Sequence, residues 1–567
     1  MSDIYNRTVE VMGTSMNTLS YERGAHAPEL IDQTIGDCFD DVATRISSHS
    51  AVVSRHEGIR LTYGELREKS DRLAAALLAS GLEPGDRIGI WSHTNITWLM
   101  MQLATAKAGL ILVNINPAYR TSELEHALNL VACKAVVTMI RYRSSEYLSM
   151  LLELGKARLP SLKKIWWIDE ADSPDQAGAE RFSELLRADV DRATLQRIRL
   201  TVRPDDAVNI QFTSGTTGLP KAATLSHRNI LNNGFFVGEC MKLTHEDRVC
   251  VPVPMYHCFG MVMGNLACLT HGSTIVYPSE RFDAEAVLET VQAEQCTALH
   301  GVPTMFIAAL NHPRFAEFDM SSLRTGIMAG SPCPIEIMKR VVDEMHLSGI
   351  TIAYGMTETS PVSCQSLTDT PLEKRVSTVG QVLPHLEVKI VDTLTGQTVE
   401  RGQTGELCTR GYSVMLGYWK QHDRTREAID AEGWMHSGDL ATMDRDGYVN
   451  IVGRIKDMVI RGGENLYPRE IEEFLYTCPG VLDVQVVGVP DKHYGEELCA
   501  WIVAKDGVIL DEIAVRNYCA GRIAHYKVPR YIRFVDSFPT TVTGKVQKFR
   551  IRQIMSAELD LKEQQTA

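Results

Sequence analysis

Helical and strand-like segments alternate along much of this chain, and that alternation restricts the fold more than any other feature. Residues 66–78 carry leucines and alanines at helical spacing, and an apolar strand-like run follows at residues 87–91. A second helical segment, residues 98–109, precedes a second strand-like run at residues 110–115. The same order of signals returns within residues 284–345. Alternating helices and strands predict a parallel sheet that is covered by helices on both faces.

Length, charge and cysteine usage exclude several classes of protein. With 567 residues the chain exceeds the size of a single core, so several domains or subdomains are expected. The formal net charge of −13 argues against general nucleic-acid binding, which favours a basic face. The 13 cysteines include no C-x-x-C pair, so neither a disulfide framework nor a zinc site is expected. Without an apolar signal segment or a membrane-length apolar run, a cytoplasmic protein with no membrane span is expected.

Residues 213–221, with the sequence TSGTTGLPK, form a loop suited to an anionic phosphate group. Glycines let backbone N–H groups approach the phosphate oxygens, and the hydroxyls and the lysine add further donors. Apolar runs at residues 208–212 and 222–225 predict that the loop joins two strands. Pro220 and Ala222 stand where a Walker A motif requires glycine and serine or threonine, so this is a different kind of loop. A surface turn is the alternative interpretation.

Residues 354–359, with the sequence YGMTET, follow a strand-like apolar run at residues 350–353. The tyrosine can stack on a base and the threonine can hold a phosphate. The glutamate can hold Mg²⁺, a cation that prefers carboxylate and phosphate oxygens. In isolation, a helix that opens with Thr and Glu as a capping pair explains the segment equally well.

Further short motifs follow in the second half of the chain. They are Ser-Gly-Asp at 437–439, Gly-Arg-Ile-Lys-Asp at 453–457, Arg-Gly-Gly-Glu-Asn at 461–465 and Thr-Gly-Lys at 543–545. The first aspartate is either an acceptor for ribose hydroxyls or a turn residue bonded to its own backbone. A lysine in a Thr/Gly loop is a mobile point charge suited to a transient anion. Residues 522–552 carry eight Lys or Arg against one acid, which indicates either a solvated face or an anion site.

Taken in this order, the phosphate loop and the motifs after it resemble those of the adenylate-forming superfamily. That group comprises acyl-CoA synthetases, adenylation domains of peptide synthetases and beetle luciferases. The resemblance extends over about residues 39–548. It implies an α/β fold with a large N-terminal domain, residues 1–455, made of stacked parallel sheets with helices plus a small β-barrel-like subdomain. A small, mobile α+β C-terminal domain, residues 456–567, would complete the chain.

The resemblance also implies a set of site residues. The residues expected to bind the ATP phosphates are Thr213, Ser214, Gly215, Thr216, Thr217, Gly218 and Lys221. Those expected around the nucleoside are Gly330, Ser331 and Tyr354 at the adenine, and Asp439 and Arg454 at the ribose. Thr357 would contact the α-phosphate and Glu358 would bind Mg²⁺. Lys545 would bridge the substrate carboxylate and the α-phosphate during adenylation.

The same resemblance assigns the C-terminal domain a movement between two half-reactions. Its hinge would be Lys456 with Asp457. After the movement, Gly463 would line the tunnel for the CoA thiol, because only a residue without a side chain leaves room. The basic stretch at residues 522–552 would then hold the anionic nucleotide end of CoA.

Residues 256–260, with the sequence YHCFG, bear on the identity of the carboxylic acid. Amino-acid adenylation domains usually carry an aspartate in this segment, and its absence favours a substrate without an α-amine. The apolar surroundings predict an alkyl pocket, with ordinary core as the alternative. With residues 301–306 the segment is most similar to medium-chain and related fatty acyl-CoA synthetases. His257 would contact the acyl end or gate the pocket, or else serve a structural role.

The function implied is an ATP-dependent fatty acid–CoA ligase that forms an acyl adenylate and pyrophosphate, then acyl-CoA and AMP. Only 22 residues follow Lys545, too few for a carrier domain. CoA is therefore the first expected acceptor and a separate carrier protein the second. A luciferase-like mono-oxygenase is a rival function, and a non-catalytic nucleotide-binding regulator is disfavoured because Glu358 and Lys545 are both present. ATP, Mg²⁺ and CoA are the implied cofactors and co-substrates, and the sequence leaves a homodimer open.

Overall fold

The computed structural model describes residues 18–142, 144–169, 175–213, 220–331, 333–462, 464–541 and 544–559. Over these residues the strands form four sheets. No helix in the described part of the chain is both long and apolar enough to cross a bilayer.

The elements are numbered in chain order. The helices are α1 (Ile35–Arg45), α2 (Tyr63–Ala79), α3 (Ile96–Lys107), α4 (Thr121–Leu130), α5 (Tyr147–Arg158), α6 (Phe182–Arg187), α7 (Arg192–Arg199), α8 (His227–Cys240), α9 (Ala267–His271), α10 (Ala284–Glu294), α11 (Pro303–Leu310), α12 (Ile335–Glu344), α13 (Leu372–Ser377), α14 (His422–Ala428), α15 (Pro468–Tyr476), α16 (Glu512–Cys519) and α17 (Lys548–Glu558). Shorter helical segments are a π-helix (Phe259–Leu266) and 3₁₀ turns (Phe315–Glu317, Thr357–Thr359 and His525–Lys527).

The strands follow the same numbering. They are β1 (Tyr21–Arg23), β2 (Ser50–Ser54), β3 (Ile59–Thr62), β4 (Arg87–Trp91), β5 (Ile111–Asn114), β6 (Ala135–Thr138), β7 (Lys164–Trp167), β8 (Glu180–Arg181), β9 (Ala207–Thr213), β10 (Lys221–Ser226), β11 (Arg248–Cys250), β12 (Thr274–Tyr277), β13 (Ala298–Gly301), β14 (Thr325–Ala329), β15 (Gly349–Gly355), β16 (Val362–Gln365), β17 (Gln381–Val382), β18 (Leu386–Val391), β19 (Gly405–Gly411), β20 (Gly417–Tyr418), β21 (Met435–Met443), β22 (Val449–Arg454), β23 (Val459–Arg461), β24 (Glu464–Leu466), β25 (Val481–Asp491), β26 (Gly495–Ala504) and β27 (Tyr531–Phe534).

Two large sheets form the body of the protein. The first has the strand order β20-β10-β9-β5-β4-β6-β7-β8, and the second has the order β17-β16-β15-β14-β13-β11-β12-β2-β3. Both are parallel at their centres, whereas the first is antiparallel at one edge and the second at both edges. The parallel sheets expected from the sequence are therefore mixed sheets. The reason is local in the case of β9 and β10. The loop between them is too short for the crossover that parallel neighbours need, so they form an antiparallel hairpin.

Two smaller sheets complete the structure. The third sheet, β1-β18-β19-β21-β22, is antiparallel throughout and brings the start of the described chain against residues near 390. The fourth, β24-β23-β26-β25 with β27 on β26, is built only from residues beyond Met458. This arrangement confirms the α/β class with stacked sheets, a small β subdomain and a C-terminal α+β unit.

Local sequence accounts for several elements where they were predicted. Helix α2 begins at a capping box, in which the Thr62 side chain accepts the Glu65 N–H and the Glu65 side chain accepts the Thr62 N–H. Helix α10 and strand β4 have the bounds expected from their apolar patterns. The 13 cysteines are buried as free thiols, in keeping with the use of Cys133 and Cys268 as small core residues.

Candidate active site

Three neighbouring parallel strands bring several of the predicted site residues to one edge of the second sheet. Strands β13, β14 and β15 lie side by side in parallel register. Their carboxyl ends lead into residues 301–306, into Gly330 and Ser331, and into residues 354–359. In open α/β sheets ligands bind in the crevice outside the carboxyl ends of strands. Segments that are separate in the sequence therefore line one crevice.

The two ends of the phosphate loop lie on the first sheet, and one of them contacts this crevice. Thr213 and Lys221 are paired across the β9–β10 hairpin and mark the two ends of the loop. The Thr213 hydroxyl donates to Oε1 of Glu358 at 3.0 Å. The predicted phosphate ligands inside the loop lie outside the described residues; they are Ser214, Gly215, Thr216, Thr217 and Gly218.

Glu358 is a buried carboxylate in the 3₁₀ turn that follows β15, and it is 5% exposed. Its Oε1 accepts a second hydrogen bond, from the Tyr418 hydroxyl at 2.9 Å. Its Oε2 accepts none from the described residues. A buried carboxylate with one oxygen engaged by neutral donors is suited to a hard cation, so this residue fits Mg²⁺. Thr357, in the same turn, lies beside the Cys258 thiol.

Tyr354, Asp439 and Arg454 meet across two sheets. Asp439 on β21 is directly opposite Arg454 on β22, and its Oδ1 accepts from the Arg454 Nε at 3.0 Å. Its Oδ2 accepts from the Tyr354 hydroxyl, at the end of β15, at 2.8 Å. Burial and then the Asp439 charge raise the pKa of Tyr354 well above its usual value. Hydrogen bonds therefore join Tyr354, which is predicted to contact the adenine, to the two residues that are predicted to contact the ribose.

Gly330 lies where β14 ends, with Ser331 after it. Its φ of +93° belongs to the left-handed region, and a Cβ there would lie 3.1 Å from Cγ1 of Val302. A side chain at this position would be strained and would press on residues 301–306. The backbone here packs directly against the start of the segment after β13.

Lys545 reaches the same crevice from the C-terminal end of the chain. Its neighbour Gly544 accepts a hydrogen bond from the Thr304 hydroxyl at 3.1 Å. Desolvation, and then the charge of Arg454, lower the pKa of Lys545 to about 8, while Asp439 and Glu358 act in the opposite direction. The lysine therefore shares an electrostatic environment with the nucleotide residues and lies next to residues 301–306.

A chain of buried amides supports the segment at residues 256–260. Asn114 donates to the Tyr256 carbonyl at 3.0 Å and accepts from Asn209 at 2.9 Å. Gln211 donates to Asn209 at 3.0 Å and accepts from the Cys258 thiol at 3.1 Å. Because each of these polar groups is buried, losing one partner would leave another unsatisfied. The segment is therefore held in one conformation by the strands beneath it.

The predicted acyl segment itself is tightly packed. The apolar residues expected to line a pocket are all nearly inaccessible; they are Met255, Phe259, Met261, Val262 and Met263. The last four belong to a π-helix, a rare element that occurs often at functional sites. His257 accepts the Phe259 N–H at its Nδ1 at 3.1 Å. Burial, and then the Lys545 charge, lower the pKa of His257 to about 4, so the ring is neutral at neutral pH.

Lys456 is not brought into this group. It is exposed, in the turn between β22 and β23. The main chain around it is tied to the third sheet by a hydrogen bond from the Ile455 N–H to the Gly438 carbonyl at 3.0 Å. Gly463 lies outside the described residues.

Sequence reasoning did not single out Tyr418 or Thr304. Tyr418 is 60 positions away from the carboxylate it contacts, and Thr304 is 240 positions away from Gly544. A local pattern shows only an aromatic next to a glycine, or a hydroxyl near a helix start. The partner that gives each residue its role becomes visible only in the folded chain.

Comparison with known proteins places the chain among enzymes. A family model described as AMP-binding enzyme matches residues 39–419, and one described as AMP-binding enzyme C-terminal domain matches residues 470–545. YngI of Bacillus subtilis (strain 168), provisionally named an acyl-CoA synthetase, is 47% identical over 93% of this chain and 97% of its own. The mitochondrial medium-chain acyl-CoA ligase ACSF2 of Bos taurus is 43% identical, over 96% of this chain and 91% of its own. A crystal structure of ATP-bound MatB from Rhodopseudomonas palustris matches with a TM-score of 0.80 at 27% identity, covering 92% of this chain and 99% of that chain.

Proposed function

We propose, from the premise that the chain belongs to the AMP-binding enzyme family, that it is an AMP-forming fatty acid–CoA ligase. The fatty acid carboxylate would attack the α-phosphate of ATP, forming an acyl adenylate and releasing pyrophosphate, and the acyl group would then pass to the thiol of CoA with release of AMP. Medium-chain acids are the proposed substrates. The name of the Bos taurus relative supports this range of chain lengths, and the apolar acyl segment suits an alkyl chain.

The position of Lys545 carries the proposal. Adenylation brings a carboxylate and the α-phosphate of ATP together, so a positive charge must lie between two anions. The hydrogen bond from Thr304 to Gly544 supports a position of Lys545 beside residues 301–306. The charges of Arg454, Asp439 and Glu358 act on the same lysine. A cation would thus lie where the two substrates meet.

The nucleotide would occupy the crevice between the two large sheets. Thr213, Lys221 and the residues between them would hold the β- and γ-phosphates that leave as pyrophosphate. Thr357 would contact the α-phosphate, and Glu358 would hold Mg²⁺. When bound, Mg²⁺ supplies positive charge that compensates the phosphate oxygens.

The nucleoside end would lie against the group formed by Tyr354, Asp439 and Arg454. We propose that Tyr354 stacks on one face of the adenine, with Gly330 and Ser331 on the other face of the base. Asp439 would accept from the ribose hydroxyls, since a carboxylate oxygen with one bonded donor can accept another. Arg454 would hold the carboxylate in place through the 3.0 Å hydrogen bond to Oδ1.

The acyl chain and the thiol would enter from different sides. His257 is proposed to contact the acyl end as a neutral ring. Gly463 is proposed to line the thiol path after the C-terminal domain, residues 456–567, has turned about Lys456. A cytoplasmic location and a homodimer stay predictions.

A panel of acids tests this function. Incubating the protein with ATP, Mg²⁺ and acids from acetate to palmitate should give pyrophosphate release that peaks at medium chain lengths, with acyl-CoA formed when CoA is added. Lys545→Ala should abolish pyrophosphate release yet retain transfer from a synthetic acyl adenylate to CoA. Lys505→Ala, which removes an exposed lysine of the same domain, is the matched control and should behave like the parent. A peak at acetate or at benzoates contradicts the proposed substrate, and equal loss of both half-reactions in Lys545→Ala contradicts its role.

A further inference from the structure

Tyr418 is a buried tyrosine that contacts the carboxylate proposed to hold the metal. It is 5% exposed, and its hydroxyl donates to Oε1 of Glu358 at 2.9 Å. The Thr213 hydroxyl donates to the same oxygen at 3.0 Å. Two hydroxyl donors on one oxygen fix the rotation of the carboxylate, because turning it would break both bonds. Oε2 then points away from both donors.

The segment that precedes Tyr418 is hydrogen-bonded to the turn that contains Glu358. The Met415 N–H donates to the main-chain carbonyl of Glu358 at 2.9 Å. The Ser360 hydroxyl donates to the Ser413 carbonyl at 2.6 Å. The segment and the turn therefore keep a fixed separation, which holds the tyrosine hydroxyl near the carboxylate.

The same tyrosine also contacts strand β10, which follows the phosphate loop. In β20 it pairs antiparallel with Ala223 of β10, two residues beyond Lys221. The Nζ of Lys221 lies 4.8 Å from the centre of the Tyr418 ring. Such a cation–π contact is attractive, because the face of the aromatic ring carries partial negative charge. One side chain thus touches both a carboxylate suited to a metal and the lysine that ends the phosphate loop.

We propose that Tyr418 is a positioning residue, which orients Glu358 through its hydroxyl and Lys221 through its ring so that metal and phosphate are bound together. The inference rests on the proposed function, in which Glu358 holds the metal. Partners that orient a metal ligand typically change metal affinity about 10-fold to 100-fold when they are removed. Removing the hydroxyl should therefore act on metal binding more than on the turnover of saturated enzyme.

The test compares Tyr418→Phe with Tyr412→Phe, which removes the same hydroxyl from a ring of the same segment that packs against Phe236. Mn²⁺ would be titrated into each protein with α,β-methylene-ATP and followed by electron paramagnetic resonance. Tyr418→Phe should weaken Mn²⁺ binding about tenfold, and should raise the Mg²⁺ concentration for half-maximal pyrophosphate release by a similar factor. Tyr412→Phe should leave both quantities at the parent values.

Unchanged Mn²⁺ affinity in Tyr418→Phe, or equal weakening in Tyr412→Phe, would overturn the proposal. Thr213→Val removes the other donor to Oε1 and should also weaken Mn²⁺ binding, which keeps the test decisive if Tyr418→Phe fails to fold. Failure of the proposed function would look different. In that case the parent protein would release no pyrophosphate with any acid, while the Mn²⁺ titration would still report on the Glu358 site.

Discussion

A single lysine illustrates how its surroundings adjust a reactive group. Lys545 lies next to residues 301–306 while part of it stays exposed to solvent. Desolvation by the surrounding groups, and then the charge of Arg454, lower its pKa to about 8. The residue can therefore attract an entering anion at neutral pH, and it loses its charge at mildly alkaline pH.

This lowered pKa predicts a pH dependence of adenylation. The charged form is required, so kcat/KM for pyrophosphate release should be constant at lower pH and fall as pH rises through about 8. Lys545→Arg keeps its charge throughout this range and should lose that alkaline limb, although its rate at neutral pH should be lower because the guanidinium is larger. Initial rates at subsaturating acid, measured across the pH range, check this. An alkaline limb at the same pH in both proteins would assign it to another group.

At the scale of single elements, strand β21 shows how a turn motif is held. The His436 Nδ1 lies 2.9 Å from Glu406 Oε2 on the neighbouring strand β19, and the Gly438 N–H donates to Glu406 Oε1 at 2.9 Å. Glu406 therefore bridges two positions that immediately precede Asp439. Hydrogen bonding to the Cys408 side chain and then to Glu406 raises the pKa of His436 to about 10.

The raised pKa makes this contact a source of pH-dependent stability. A histidine whose pKa is higher in the folded state stabilises fully below its unfolded pKa, about 6.5, and the contribution is lost as pH rises through about 10. His436→Gln should therefore lower the melting temperature by a few degrees at pH 6, corresponding to about 1–2 kcal/mol after solvent screening of a side chain that is 34% exposed. The difference should shrink steadily towards pH 10. A difference that does not change with pH would contradict the charged contact.

Local patterns predicted elements well where neighbours in sequence are also the partners in space. Helix α2 begins at its own capping box and helix α10 follows its own apolar spacing, so both were predictable from a short window. Strand β20 was not, because its two residues, Gly417 and Tyr418, gain strand character only from pairing with β10. The π-helix was missed for a similar reason. A Cβ at Gly260 would lie 2.4 Å from the Pro254 carbonyl oxygen, a packing restriction that no local pattern reveals.

The candidate site likewise has features that the sequence could predict and features that it could not. Motifs with their own turn chemistry, such as the one containing Asp439, could be recognised from their residue types and from the family resemblance. Contacts between motifs could not, and the hydrogen bond from Tyr354 to Asp439 is an example, because it joins residues 85 positions apart in two different sheets. Their meeting depends on how the second and third sheets pack.

At the scale of the whole molecule, one contact links residues 301–306 to the C-terminal end of the chain. The Thr304 hydroxyl donates to the Gly544 carbonyl at 3.1 Å. Gly544 has a φ of +79°, and a Cβ there would lie 3.0 Å from Cγ2 of Val302 and 3.1 Å from Oγ1 of Thr304. The backbone before Lys545 thus rests directly on residues 301–306. If the C-terminal domain turns between half-reactions, this contact exists in the adenylating arrangement and is broken in the other.

Thr304→Val is the variant that isolates this contact, because it keeps the side-chain volume and removes the donor. A neutral hydrogen bond contributes about 0.5–1.5 kcal/mol, so pyrophosphate release should slow by about 2-fold to 12-fold. If the domain turns as proposed, transfer from a synthetic acyl adenylate to CoA should keep the parent rate. Thr304→Ser restores the hydroxyl and should recover most of the adenylation rate. Equal slowing of both half-reactions in Thr304→Val would mean that the residue shapes the acyl pocket and does not hold Lys545 over it.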